Sequence, residues 1–213
     1  MGVNLNVFLP GLQRSEQILN RSGHNVANIN TDGFKATDSL SGKTNYSVSS
    51  FRFTGNNLDL AIEGDGFFRV RDSEGNAFYS RQGGFSFNAA GEIVDSNGHK
   101  LDVDFTLNPS QPFAINKDGA VFQDGAQVGK INVFNFNGKQ ELQKHGGGYV
   151  TALNEEPGIS TTASISAGFR EGSNTDIAEE QVAQILGSTA YKANIKGIKV
   201  MDEIIGETLD LLG

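Results

Sequence analysis

The stretch Asn97-Gly98-His99-Lys100-Leu101-Asp102-Val103-Asp104-Phe105-Thr106-Leu107 decides the fold class. Asn-Gly is a strong tight-turn signal, because both residues tolerate the left-handed backbone that a two-residue hairpin needs. Beyond it Leu101, Val103, Phe105 and Leu107 alternate with Lys100, Asp102, Asp104 and Thr106. Successive side chains of a strand point to opposite faces, so a period of two predicts a half-buried strand. Outward from this stretch the pattern repeats. Asp118-Gly119 and Asp124-Gly125 bracket Ala120–Gln123, and Ile131, Val133, Phe134 and Phe136 follow. Gly146-Gly147-Gly148 then breaks the chain, after which Ile159, Thr161, Ala163 and Ile165 alternate with Ser160, Thr162 and Ser164. Residues 37–170 therefore read as a turn-dense, all-β domain, an antiparallel barrel or sandwich. The 27 glycines against 4 prolines agree, since many glycines without a collagen period mean many tight turns.

On either side the period becomes helical. Leu5, Phe8, Leu12, Ser15, Leu19, Ser22, Val26 and Ile29 fall at alternating steps of three and four, the seam of a coiled coil. Pro10 suits a first helical turn, so the regular helix starts near it. Asn28, Asn30 and Asp32 weaken the helix, and Gly33 ends it by taking a positive φ. Asn tolerates that conformation better than Val does, so Asn should replace Gly33 more easily.

A second helix starts near Ser173 or Asn174, with Asp176, Glu179 and Glu180 placed to suit its positive N-terminal dipole. At about 100° per residue, Lys192, Lys196, Lys199, Glu203, Glu207 and Asp210 collect on one narrow face. The remaining arc carries Ile195, Ile198, Val200, Met201, Ile204, Ile205, Leu209 and Leu212 among others. It exceeds half the circumference, whereas a single partner helix covers a stripe of roughly 100°. The bland reading is the core helix of a compact domain. Its place at the extreme C-terminus, matched by a helix at the N-terminus, favours a helix with neighbours on several sides. The expected organisation is mainly β: helix 1–36, β domain 37–170 and helix 171–213, the two helices forming a coiled-coil-like layer.

Composition excludes several functions. A formal net charge of −8 argues against nucleic acid, whose phosphates need a basic footprint, and against an anionic membrane surface. There is no cysteine, hence no disulfide and no thiolate metal site. No window approaches the roughly 18 apolar residues of a spanning helix. Met1–Asn6 lacks a positive side chain and Arg14 follows closely on Val7–Leu9, so a cleaved signal peptide is not expected.

Residue constellations for chemistry are also missing. His24, His99 and His145 stand apart from one another and read as surface or packing residues. Asp102 and Asp104 share a strand face, and solvation explains them more simply than a cation does. Glu63-Gly64-Asp65-Gly66 has neither the third glycine nor the βαβ setting of a phosphate loop. Asp72-Ser73-Glu74-Gly75-Asn76 has the composition of a calcium loop, but Ala77 stands where its turn glycine belongs and Gly83 where its bidentate Glu belongs. No nucleophile, base and orienter can be grouped. The reading names no catalytic residue, cofactor, metal or small-molecule substrate.

Three ordered motifs resemble one family, the flagellar axial proteins of the basal-body rod and hook. Asn25-Val-Ala-Asn-Ile-Asn-Thr-Asp-Gly-Phe-Lys35 is similar to the segment that follows their N-terminal helix, matching at Ala27, Asn28, Thr31, Gly33, Phe34 and Lys35. Thr54-Gly-Asn-Asn-Leu-Asp-Leu-Ala-Ile-Glu-Gly-Asp-Gly-Phe-Phe68, continued by Tyr79-Ser-Arg81 and Gly83-Gly-Phe85, resembles the opening of their β domain. Ser173-Asn174, Ala178-Glu-Glu180 and Ala190-Tyr-Lys-Ala-Asn194 resemble their C-terminal helix.

The resemblance implies a non-enzymatic rod subunit, proximal or distal, of the periplasm-spanning basal body. Such subunits are exported uncleaved by the flagellar type III apparatus. Their partners are further copies of themselves and other rod and hook proteins. Assembly would then run through Leu5, Phe8, Leu12, Leu19 and Val26 of the first helix and Ile198, Met201, Ile205, Leu209 and Leu212 of the second, in an inner layer that transmits torque. The rival reading is a monomeric β-type surface binding or adhesion module with helices packed on it.

Overall fold

The computed structural model describes residues 7–136, 142–152 and 157–210. It is mainly β, with helix α1 (Leu9–Ala27) near one end and helix α2 (Ile177–Asp210) near the other. The chain forms two compact units. One takes the described parts of residues 1–29, 36–45 and 175–213; the other takes 30–35 and 46–174.

The second unit holds every strand, and all strand pairings are antiparallel. Its largest sheet runs Leu142–His145, Tyr149–Ala152, Ala77–Ser80, Phe68–Arg71, Lys100–Leu101, Ile93–Val94 and Ser86–Phe87. A three-stranded sheet (Ala126–Lys130, Ala120–Gln123, Phe113–Ile115) and three two-stranded ribbons complete it. Among the described residues no sheet closes on itself, so the barrel expectation is corrected. The strands, two to five residues long, are interrupted by turns before a ladder can curl round to its first strand.

Turn chemistry was legible. Asp124 (φ 52°) and Gly125 (φ 80°) form the two-residue hairpin tip between Ala120–Gln123 and Ala126–Lys130. The strand expected over 100–107 is shorter than its pattern. The ladder stops at Leu101, where the Val103 N–H donates to the Leu101 carbonyl at 3.0 Å and bends the chain. Asp102 is held there by the guanidinium groups of Arg69 and Arg71. Burial by the neighbouring sheet opposes ionisation of Asp102, but these two cations hold its carboxyl below the ordinary range. Alternation survives without the ladder: Leu101 and Leu107 are buried, while Asp104 and Thr106 are exposed.

The core gathers Leu60, Ile62, Phe68, Val70, Phe85, Val121, Ile131 and Ile165. A smaller cluster joins Phe67, Tyr79, Phe134, Phe136 and Val150.

In the first unit α1 and α2 run antiparallel, with Phe8 against Gly197, Gly11 against Asn194, and Ile18 and Leu19 against Gly187. The line of α1 that is buried is Ser15, Ile18, Ser22 and Asn25. Two members of the seam read from sequence, Ser15 and Ser22, lie on this line, while its Leu12, Leu19 and Val26 lie beside it, half-buried. Small serines at the closest line let the backbones approach, and each hydroxyl finds a carbonyl: Ser15 that of Gly11 (2.8 Å), Ser22 that of Glu180 (2.9 Å). Both helix limits differ from expectation. α1 ends at Ala27, with Asn28 as cap, so Gly33 does not terminate it. α2 is capped by Asp176, whose carboxylate accepts the Ala178 and Glu179 N–H groups, and not by Ser173 or Asn174.

Gly83 allows two segments of the β unit to cross. Its carbonyl accepts the Leu60 N–H at 2.8 Å, and a Cβ on Gly83 would fall within the Leu60 carbonyl group. Gly83→Ala should destabilise this unit by at least the roughly 1–3 kcal/mol of ordinary overpacking. Gly146→Ala, whose added methyl meets open space, should leave the thermal midpoint unchanged. Parallel thermal melts of the two variants check this.

Candidate functional site: helix faces and buried polar anchors

Asn25 organises the helical unit. It is fully buried, and its Nδ2 donates to the Thr37 carbonyl (2.6 Å) and to Glu180 Oε1 (2.7 Å). Its Oδ1 accepts the Thr37 N–H at 3.0 Å. Glu180, also buried, takes the Ser39 hydroxyl on Oε2 at 2.8 Å. Thr175 Oγ1 donates to the Asn25 carbonyl at 3.3 Å. One amide thus joins α1, the loop from residue 36 to 45 and the start of α2. An unsatisfied buried amide costs about 1–3 kcal/mol, so these bonds fix register as well as adding stability.

Glu171 has the matching place in the β unit. Its carboxylate has no solvent contact and holds Lys35 Nζ at 2.6 Å and Arg81 Nε at 2.6 Å, while the Ser49 N–H donates to Oε1 at 2.8 Å. Arg81 directs three more N–H groups at the carbonyls of Ile62, Gly64 and Gly66 at 2.7–3.0 Å. Lys35 also donates to the Ser47 carbonyl at 2.5 Å. Gly33 sits close by with φ 68°, its N–H on the Glu171 carbonyl at 2.7 Å.

Of the helix-exit motif, Gly33, Phe34 and Lys35 are buried in the β unit, Thr31 is half-buried there, Asn28 caps α1 and Ala27 is exposed. Sequence reading gave the motif but not its reason. The roles of Asn25, Glu171 and Glu180 as buried anchors are not readable from sequence, where Glu180 reads only as a dipole and motif residue, because their partners lie 12 to 158 residues away. For Asn25 the available signal was polar character next to the heptad seam; Glu171, in strand Phe169–Glu171, had none.

Of the assembly candidates, Phe8, Leu12, Leu19, Val26, Ile198, Met201 and Ile205 are half-buried. Leu5, Leu212 and the Leu209 side chain lie outside the described residues. On α2, Val182 (56% exposed), Leu186 (48%), Val200 (44%) and Ile204 (49%) face outward. They fall within about 40° of one another at ~100° per residue, on the flank away from Glu180, Ala183 and Gly187.

The stretches set aside as chemistry have structural roles. The Gly64 and Gly66 carbonyls point at the Arg81 guanidinium, the reverse polarity of a phosphate cradle. Asp72 closes a hairpin turn by accepting the Glu74 and Asn76 N–H groups, and the Asn76 side chain, together with those N–H groups, holds its carboxyl below the usual range. His99 stacks on Phe78, and His145 meets the same ring edge-on. Among the described residues no group of three or more His, Asp or Glu side chains is placed to hold a metal ion.

Residues 61–123 match the family described as flagellar hook protein FlgE/F/G D1 domain, and residues 166–211 match flagellar basal body rod FlgEFG protein C-terminal. The chain is 31% identical to the flagellar basal-body rod protein FlgF of Mesorhizobium japonicum, over 89% of each chain. It is 29% identical to the flagellar basal-body rod protein FlgG of Bacillus subtilis, over 95% of this chain and 96% of that one. Similarity to FlgF of Caulobacter vibrioides is 28%, over 98% of each.

The site sharpens the expectation for Gly33. A Cβ there would meet the Arg81–Gln82 peptide at 2.6 Å, so tolerance of positive φ is not enough. Gly33→Asn and Gly33→Val should both lower the melting temperature of the β unit, in contrast to the milder Asn expected from backbone preference alone. Glu171→Gln removes the charge that compensates two buried cations and should cost on the order of 3–5 kcal/mol. Thermal melts for the Gly33 variants and urea titration for Glu171→Gln, both followed by far-UV circular dichroism, read the two effects.

Proposed function

The chain belongs to the flagellar basal-body rod family, and from that membership we propose a structural subunit of the rod that polymerises through its terminal helices. The family is structural, so the chain is not an enzyme; its place is the basal body of the bacterial flagellum, assembled with other axial proteins. The observation that carries the polymerisation reading is the exposed apolar strip of α2, Val182, Leu186, Val200 and Ile204. α1 packs on the other flank of α2, so the strip is surplus to the helix pair and suits neighbouring subunits. Contacts of this kind repeated around a screw axis generate a tube.

In this reading the helical unit supplies a coiled-coil-like layer between subunits, and the β unit is carried by it. The half-buried set Phe8, Leu12, Leu19, Val26, Ile198, Met201 and Ile205 holds the two helices of each subunit. Torque passes through many such contacts, and their number gives stiffness without any reactive group. Export runs through the flagellar type III apparatus without cleavage. The rival reading as a free-standing adhesion module loses its support, because near full-length relatives are rod proteins.

The double variant Val200→Ser/Ile204→Ser tests the reading. Exposed substitutions change folding stability by only about 0.5 kcal/mol, so the purified protein should melt normally. Incorporation into basal bodies, scored by immunoblot of isolated hook-basal bodies and by swarming, should fall sharply. Normal incorporation of a stably expressed variant would remove the strip from the assembly interface.

A further inference from the structure

The Asn97-Gly98 turn carries a chemistry that rod assembly does not use. It caps the hairpin between strands Ile93–Val94 and Lys100–Leu101. Asn97 is exposed, Gly98 has φ 83°, and no atom lies within 4 Å of where a Gly98 Cβ would stand. A side-chain amide followed by an unhindered glycine nitrogen is the arrangement in which the backbone can attack the side chain. We propose that Asn97 is a spontaneous deamidation site, and that the Tyr149 hydroxyl restrains it.

The step balances without any oxidant or enzyme. The Gly98 backbone nitrogen loses its proton to solvent base and bonds to Asn97 Cγ. The bond from Cγ to Nδ2 breaks, and the amide nitrogen leaves as ammonia. The resulting five-membered succinimide is opened by water at either carbonyl, giving aspartate or isoaspartate at position 97. In sum, an amide and water become a carboxylate and ammonium.

Two sets of hydrogen bonds oppose the attack. Asn97 Nδ2 donates to Tyr149 Oη at 2.8 Å, which fixes the amide, and Tyr149 Oη donates to Asp95 Oδ2 at 2.6 Å. The Gly98 N–H is engaged by the Asp95 carbonyl at 3.1 Å, and Asp95 Oδ1 accepts the Asn97 and His99 N–H groups at 2.9 and 3.0 Å. Burial, and then the Asp95 carboxylate, raise the Tyr149 hydroxyl above its ordinary range, so it keeps its proton and remains an acceptor for Asn97. Either product undoes the tie. Aspartate has no hydrogen to give Tyr149 and adds a second carboxylate beside Asp95, while isoaspartate lengthens the backbone within the turn.

The test is peptide mapping by mass spectrometry of the folded full chain, incubated at mildly alkaline pH. Acid should accumulate at position 97 in the native protein, and faster in urea, where both restraints are gone. Tyr149→Phe keeps the ring and removes the hydroxyl. It should speed the native reaction roughly 2- to 10-fold, the span of one ordinary neutral hydrogen bond. An Asn97 that stays an amide in native and unfolded chains alike overturns the site. Equal rates in native protein and urea, or in wild type and a folded Tyr149→Phe, overturn the restraint.

Discussion

A single carboxylate with no water contact, Glu171, sets the terms for the β unit. It neutralises two buried cations, Lys35 and Arg81, that come from segments far apart in sequence. Desolvating three charges is expensive, and the net gain over a well-packed apolar cluster can be small. The importance of such a group lies in what its absence would leave: two cations in a dry interior. The geometry is therefore over-determined. The Arg81 fork reaches three carbonyls of the Ile62–Gly66 turn, the Ser49 N–H closes the carboxylate, and the Gly33 N–H rests on the Glu171 main chain. Strand Phe169–Glu171, its partner Phe51–Phe53 and the segment around Lys35 have one arrangement that satisfies all of these at once.

The helical unit solves a similar problem with a neutral hub. Asn25 can both give and accept, so it holds the Thr37 peptide from both sides and still reaches Glu180. An apolar residue at this position would pack but would not select a register. The serines at Ser15 and Ser22 do the complementary job of bringing the helices close. Specificity inside the pair thus comes from small and polar residues, which leaves the long aliphatic side chains of α2 available for the outer flank.

These facts explain what was legible beforehand. Period and turn chemistry are local, so both helices, the Asp124-Gly125 hairpin and the half-buried alternation from Leu101 to Leu107 could be read directly. Helix and strand limits were less readable. A γ-turn centred on Asp102 cut one ladder short, and Asp176, not Ser173 or Asn174, supplies the cap of α2. The heptad spacing includes Ser15 and Ser22, which are buried, but passes over Ile18 and Asn25, whose burial, with the hydrogen bonds of Asn25, completes the closest line. Glu171 was invisible, and the buried role of Glu180 was hidden behind its place in the first helical turn, because a glutamate announces nothing of this kind until its distant partners are brought beside it. The motif around Gly33 and Lys35 could be recognised by resemblance, yet the need for glycine came from a peptide at Arg81–Gln82 that no spacing rule connects to it.

The position of Glu171 and Glu180 along the chain has a temporal meaning. A polypeptide is made, and threaded through any narrow passage, from its N-terminus. Until residues 171–180 emerge, Lys35 and Arg81 lack the carboxylate between them, and Asn25 lacks the acid on which its amide rests. Neither unit can reach its final state on the earlier sequence alone. The closing pieces of both arrive together, only nine residues apart. A chain stopped before residue 171 would leave both units open, and one that has passed residue 180 holds the acid that each of them waits for.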